Sequence, residues 1–352
     1  PRGTTATFDY NDSAQSFVVA NDFGVITMDS ASVGDEWNSG EALTVTLIDQ
    51  DLNLNSLSNE DIVMKNTTRT HLIPSLQIGS PLSVIANANV TVPSDFGKIA
   101  YYSNASLTPA WGSTNNYTIT TGQTGATLDA IDTVNTYFSW DVTAFVTNAT
   151  NTVDKVCLVG GPLRGVDMAC SSQASAVLAG STAQGDDAKG MAEIASPGGL
   201  TAAIYPELRV AINLAGDNDA SYVGVPYVNV PFVADIFSFG GDGTNNAIYR
   251  LLLEETGDNT ATFEGTVEYT MLNQLNVDDN ALYANLSPIS VDITIIVEQD
   301  MTDEDSPRVN YLDLGADGVS TQIADQQEAP THSGVVSLDL DNYKIADTVV
   351  VT

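Results

Sequence analysis

Leu43-Thr44-Val45-Thr46-Leu47 places an apolar side chain at every second position, with threonine between. Successive side chains of a strand point to opposite faces, so this segment has one face for a core and one for water. The same period returns in Leu208-Arg209-Val210-Ala211-Ile212-Asn213-Leu214 and in Val291-Asp292-Ile293-Thr294-Ile295-Ile296-Val297-Glu298. Turn clusters separate such runs, among them Gly240-Gly241-Asp242-Gly243-Thr244-Asn245-Asn246 and Gly257-Asp258-Asn259. Helical patterning is weak. Its best stretch, Ser172 to Ala195, is Ala-rich but interrupted by Gly180, Gly185 and Gly190. Many short strands with regular turn signals predict an all-β protein made of β-sandwich modules.

The 352 residues exceed the roughly 150 of one domain, so two or three are expected. Acidic residues number 45 against 11 basic, a formal net charge of −34, while charged residues are only 16% of the chain. The imbalance therefore comes from missing basic residues, and Asn, Thr, Ser and Gly supply the remaining polar surface. Such a surface repels nucleic acid and anionic lipid and attracts inorganic cations. With 43% hydrophobic residues the chain can fill real cores. The richest apolar stretch, Leu200 to Ala215, contains Pro206, Glu207 and Arg209, so no direct membrane insertion is expected.

An internal repeat sets the expected organisation. Gly24-Val-Ile-Thr-Met-Asp29 leads into Glu41-Ala-Leu-Thr-Val-Thr46, and Gly334-Val-Val-Ser-Leu-Asp339 leads into Asp347-Thr-Val-Val-Val-Thr352. This predicts residues 1–23 as the tail of a preceding module and a β-sandwich module over 24–216, with a sequon-rich elaboration at about 66–150. A second module is expected over 217–333, and the first strands of a next one over 334–352. A segment cut from a longer array is the expected origin.

Export is suggested by seven Asn-X-Ser/Thr sequons, at Asn11, Asn66, Asn89, Asn104, Asn116, Asn148 and Asn285. Five fall between Asn66 and Asn148, which suggests one sugar-coated face. Cys157 and Cys170 flank the turn signal Gly160-Gly161-Pro162-Leu163-Arg164-Gly165. If that segment folds as a hairpin, the cysteines face one another and can form a disulfide; the alternative is two buried thiols.

Asp49-Gln50-Asp51-Leu52-Asn53-Leu54-Asn55, with Glu60 beyond, has oxygen ligands at the spacing that wraps a hard cation such as Ca²⁺. Leu54 stands where an EF-hand needs Gly, and the loop follows a strand, so the expectation is a β-loop calcium site from Asp49, Asp51, Asn53, Asn55 and Glu60. A plain Asx-turn is the alternative. Asp300, Asp303, Glu304 and Asp305, with Asp313 and Asp317 downstream, form the densest acid cluster, either cation-binding or solvated. No catalytic residue is expected: His71 and His332 are far apart, and no nucleophile elbow, phosphate loop or Cys/His cluster occurs. Trp37, Trp111 and Trp140 are either core residues or a carbohydrate platform.

Leu43-Thr-Val-Thr-Leu-Ile-Asp-Gln-Asp-Leu-Asn-Leu-Asn55 resembles a recurring segment of surface-layer proteins from ammonia-oxidising archaea. Leu253-Glu-Glu-Thr-Gly-Asp-Asn-Thr-Ala-Thr-Phe-Glu-Gly-Thr266, Val309-Asn-Tyr-Leu-Asp-Leu-Gly-Ala-Asp-Gly318 and Tyr343-Lys-Ile-Ala-Asp-Thr-Val-Val-Val-Thr352 are similar to the same repeats. The resemblance covers about 24–61 and 217–352 and is weak over 66–200. It implies immunoglobulin-like modules, an extracellular glycosylated two-dimensional lattice of identical chains, and divalent cations at module junctions. It also suggests ammonium as a cation favoured by the acidic layer. The alternatives are a carbohydrate-binding or adhesive surface protein and an exported β-fold hydrolase.

Overall fold

The computed structural model describes residues 4–11, 13–19, 23–34, 36–64, 66, 69–79, 90–91, 100–104, 116–120, 136–145, 152–160, 177–179, 189–193, 208–215, 227–238, 247–277, 282, 286–314, 319–331 and 336–352. The chain is all-β. In one sheet β3 (Val25–Asp29), β4 (Ala42–Ile48) and β17 (Thr262–Met271) run antiparallel side by side. The far edge of β17 is shared by β16 (Glu254–Glu255), antiparallel, and β19 (Asp292–Val297), parallel. A second sheet has the order β18 (Ile289–Ser290), β15 (Ala247–Leu251), β5 (Ser75–Ile78), β20 (Arg308–Leu314) and β21 (Ser320–Gln326).

Both sheets feed one core. Ile26, Val45, Leu47, Phe263 and Val267 come from the first sheet, and Leu76, Ile78, Tyr249, Leu251 and Val309 from the second. The alternation in 43–47 is thus an inward face of Leu43, Val45 and Leu47, each fully buried. Trp37 is also fully buried, edge-on to Tyr269 with ring centroids 4.7 Å apart. Gly265 is dictated by close approach, since a Cβ there would lie 2.9 Å from the Val291 carbonyl oxygen and 3.0 Å from that of Leu252.

Strand pairing does not follow the expected boundary at 216/217. β4 pairs with β17, and β5 pairs with both β15 and β20, so strands from either side of 216 share each sheet. The segment between β5 and β15 forms two sheets of its own. One has the order β11 (Val177–Ala179), β10 (Thr152–Gly160), β13 (Leu208–Ala215), β8 (Asn116–Thr120). The other has the order β12 (Lys189–Glu193), β9 (Thr136–Asp141), β14 (Tyr227–Ser238), β7 (Ala100–Asn104), β6 (Val90–Thr91). The described strands from β6 to β14 thus pair among themselves, as an insert between host strands drawn from 25–78 and 247–326. The best helical candidate, 172–195, supplies β11 and β12, because its three glycines remove helix propensity. No helix among the described residues is long and apolar enough to cross a membrane.

Arg250 of β15 joins insert to host. Its Nε and Nη2 donate to the two carboxylate oxygens of Asp235 on β14, both at 2.8 Å, and both side chains are 1% exposed. Two hairpins lie outside this body. β1 (Thr4–Tyr10) and β2 (Ser13–Val19) pair through seven residue pairs. Residues 336–352 fold back so that Leu338 bridges Val351, with Ser337 and Thr352 exchanging backbone hydrogen bonds of 2.8 and 3.0 Å. The first copy of the repeat pairs Thr27 with Thr46 and Met28 with Val45. These positions match Ser337/Thr352 and Leu338/Val351, so both copies of the repeat are paired in one register.

Candidate functional site

The loop after β4 is started by Asp49. Its Oδ1 accepts the Asp51 N–H at 2.9 Å, an Asx-turn that opens a 3-10 turn over 50–52, while Oδ2 accepts the Tyr311 hydroxyl at 2.6 Å. Asp49, Tyr311 and Asp313 are all buried, and Asp313 Oδ2 accepts the Gly24 N–H at 2.8 Å. Gly24 sits in a tight corner: a Cβ there would lie 3.3 Å from Asp49 Cβ and from a Tyr311 ring carbon. Burial pushes the Tyr311 phenol far above its usual range. The nearby charges of Asp49, Asp313 and Asp51 push it further, so it stays a neutral hydrogen-bond donor.

The remaining expected ligands are engaged elsewhere. Asn53 Nδ2 donates to Asn259 Oδ1 at 2.9 Å. Asn55 closes a local turn, donating to Ser58 Oγ at 2.7 Å and accepting the Leu57 N–H at 3.2 Å. Glu60 accepts the Leu54 N–H at 2.9 Å and pairs with the buried Arg69 at 3.2 Å. The structure thus brings Asp49 and Asp51 together with Asp313 around Tyr311, and sends Asn53, Asn55 and Glu60 to other partners. Among the described residues no group of three or more His, Cys, Asp or Glu side chains is arranged to hold a metal ion.

Glu255, which sequence reading passed over, organises this end of the host. It is 4% exposed and accepts four hydrogen bonds: the N–H groups of Glu60 (2.9 Å), Thr260 (3.0 Å) and Ala261 (3.0 Å), and the Thr260 hydroxyl (3.3 Å). Burial alone would raise its pKa, but the backbone donors outweigh it and hold the carboxyl below its ordinary value. One carboxylate therefore ties the 49–60 loop to the 255–262 hairpin. The alternation across β16, exposed Glu254 then buried Glu255, is the signal that could have found it.

In the second acid cluster, Asp303, Glu304 and Asp305 form an exposed 3-10 turn, with Asp303 in the left-handed region at φ 52°. Asp300 instead accepts the Thr331 N–H beside the Met301–Ala329 bridge. Asp317 lies outside the described residues. Of the sequons, Asn11 is exposed at the β1–β2 turn with φ 54°. Asn66 is half-buried and donates to the Asp61 carbonyl at 3.3 Å. Asn104 ends β7 and Asn116 begins β8, in different sheets, so these two do not share one sheet face. Asn89, Asn148 and Asn285 lie outside the described residues. Opposite Cys157 on β10 stand Leu178 and Ala211, so the expected hairpin register is not the one formed. Cys170 is outside the described residues, and its pairing stays an expectation. Trp37 and Trp140 are buried and offer no sugar platform. His71 is exposed on the 70–72 turn; Trp111 and His332 lie outside the described residues. Compared with models of known protein families and with curated proteins, the chain matches none.

Proposed function

We propose that this chain is a structural, non-catalytic segment of an extracellular surface layer, built from immunoglobulin-like sandwich units and carrying sugar on its sequons. The observation that supports this reading most is the recurrence of one opening hairpin, at 24–48 and 334–352, in a single register. Repetition of one β-unit along a chain builds an extended array in which each unit contacts its neighbours. Calcium belongs to the proposal, held weakly at the loop ends, with Asp49 and Asp51 the contributors on the first loop and the exposed Asp303, Glu304 and Asp305 on the second. The charge of −34 makes the layer a fixed polyanion that admits cations, ammonium among them, more readily than anions.

The test is self-assembly. Purified chain dialysed into ~10 mM Ca²⁺ and imaged by negative-stain electron microscopy is expected to form ordered sheets that dissolve in chelator. Asp51→Ala is expected to remove most of the Ca²⁺-dependent rise in melting temperature. For Kd values on the order of 10⁻⁴–10⁻³ M, that rise corresponds to roughly 1.5–3 kcal/mol at this Ca²⁺ concentration. Dispersed particles under every condition, with a melting curve indifferent to chelator, would remove both the lattice and the calcium from this reading.

A further inference from the structure

Tension along the chain meets the host at two opposite ends. β3 runs away from Gly24 and β4 returns to Ile48, so Gly24 and Asp49 stand together at one end of the sandwich. Trp37 and Gly40, which precede β4, mark the other. The chain leaves the host at that second end, where the Tyr269 hydroxyl lies 3.0 Å from the Trp37 carbonyl oxygen and 2.9 Å from that of Pro330. A pull between the segments before Gly24 and after Pro330 therefore acts along the strands and not across them.

The two strands that take this load lie side by side. β3 is the first strand of the host and β21 the last, and β21 packs against β3. They are edges of different sheets, and among the described residues no backbone ladder joins them. Two carboxylates span the seam instead: Asp313 Oδ2 accepts the Gly24 N–H and Asp325 Oδ2 the Met28 N–H, each at 2.8 Å. Gly24 and Met28 are four residues apart, so both N–H groups leave by the same edge. Asp313 pairs with Thr321 of β21, and Asp325 lies four residues beyond Thr321. Both strands thus run from the Gly24 end toward the Pro330 end, parallel to one another. A stretched chain pulls β3 by its N-terminal end and β21 by its C-terminal end, in opposite directions along one seam.

We infer that the β3–β21 seam is a mechanical clamp, in which Asp313 and Asp325 carry tension across the host when the chain is stretched by its ends. Bonds that cross a seam loaded lengthwise share the force and must fail together, whereas a seam opened from one end loses them singly. Both acceptors are carboxylates, the stronger class of hydrogen-bond partner. The β3–β4 and β20–β21 ladders, of five and seven residue pairs, are sheared in the same motion and add to the resistance. The clamp resists tension whether or not the chains form sheets, so it stands apart from the lattice reading.

Single-molecule force spectroscopy of the full chain tests this, because forced unfolding reads the unfolding rate. The chain is held at constant force either by its two ends or between its N-terminus and a ligation tag inserted after the exposed Leu57. The second arrangement opens the β3–β4 pair from its free ends and peels β3 off the seam. The host is expected to unfold more slowly when pulled by its ends than when peeled at the same force. Asp325 is half-buried, so Asp325→Ala is expected to fold, with an unchanged melting curve as the check. It is expected to speed end-to-end unfolding about tenfold or more, the factor for losing one hydrogen bond to a charged acceptor, and to speed peeling less. Asp325→Asn, which keeps an acceptor oxygen, is expected to fall between wild type and Asp325→Ala. Equal wild-type rates in the two directions, or an Asp325→Ala effect of the same size in both, overturns the clamp.

Discussion

At the scale of single residues, the host is fastened at one end by carboxylates used as backbone acceptors. Glu255 receives three N–H groups from two separate segments, and hydrogen bonds to charged acceptors contribute more than neutral ones. Glu255→Gln keeps the shape but loses the charge and one acceptor oxygen, at an expected cost of about 1.5–3 kcal/mol in urea unfolding at pH 7. Because the folded state holds this carboxyl below its ordinary value, its stabilisation is full above about pH 4.5 and is lost as pH falls through the lower folded pKa. The melting-temperature difference between wild type and variant is therefore expected to shrink on going from pH 6 to pH 3, and a difference independent of pH would exclude the charge as its source. The Asx-turn at Asp49 was legible, because an aspartate just after a strand readily accepts the N–H two residues on. The partners of Asn53, Asn55 and Glu60 were not legible, since Asn259 and Arg69 reach them through the fold and not through spacing.

At the scale of elements, alternation identified strands reliably and their partners not at all. The stretches 43–47 and 208–214 are β4 and β13, and 291–297 covers β19. Ile296, which alternation assigns to the polar face, is buried with Ile295 and Val297. Strand periodicity reports which face is apolar, whereas neighbours are chosen by packing between distant segments, so β4 finding β17 leaves no local trace. Only the repeat carried non-local information, and its two copies do pair in one register. A buried ion pair between β14 and β15 joins insert to host, beside the packing of Val233 of β14 in the host core. Arg250→Met leaves the Asp235 carboxylate buried without this cation and is expected to cost about 3–5 kcal/mol by chemical denaturation. Adding Asp235→Leu is expected to restore most of that loss, because two apolar side chains need no mutual charge. A double variant as unstable as the single one would place the role of Arg250 in packing.

At the scale of the whole molecule, a charge of −34 sets the response to salt. Self-repulsion is screened over about 10 Å at 0.1 M and about 3 Å at 1 M, so the melting temperature is expected to climb with NaCl and level off near 1 M. The filter reading makes a separate prediction for assembled sheets: ammonium is expected to cross faster than an anion of similar size at low salt, and the difference to fade at high salt. Equal fluxes at low salt would reduce the acidity to a solubility feature. The nesting of the insert between two paired strands has one more effect, on the order of events during synthesis. β5 and its partner β15 are neighbours in the sheet, Ile78 beside Ala247, yet 247 − 78 = 169 residues separate them along the chain. At translation rates of about 5–20 residues per second, β5 waits roughly ten to thirty seconds for that partner to emerge from the ribosome. Its edges are open to foreign strands throughout that interval. The insert, whose strands find one another within its own length, can be complete first, so the polypeptide acquires its ornament before its frame.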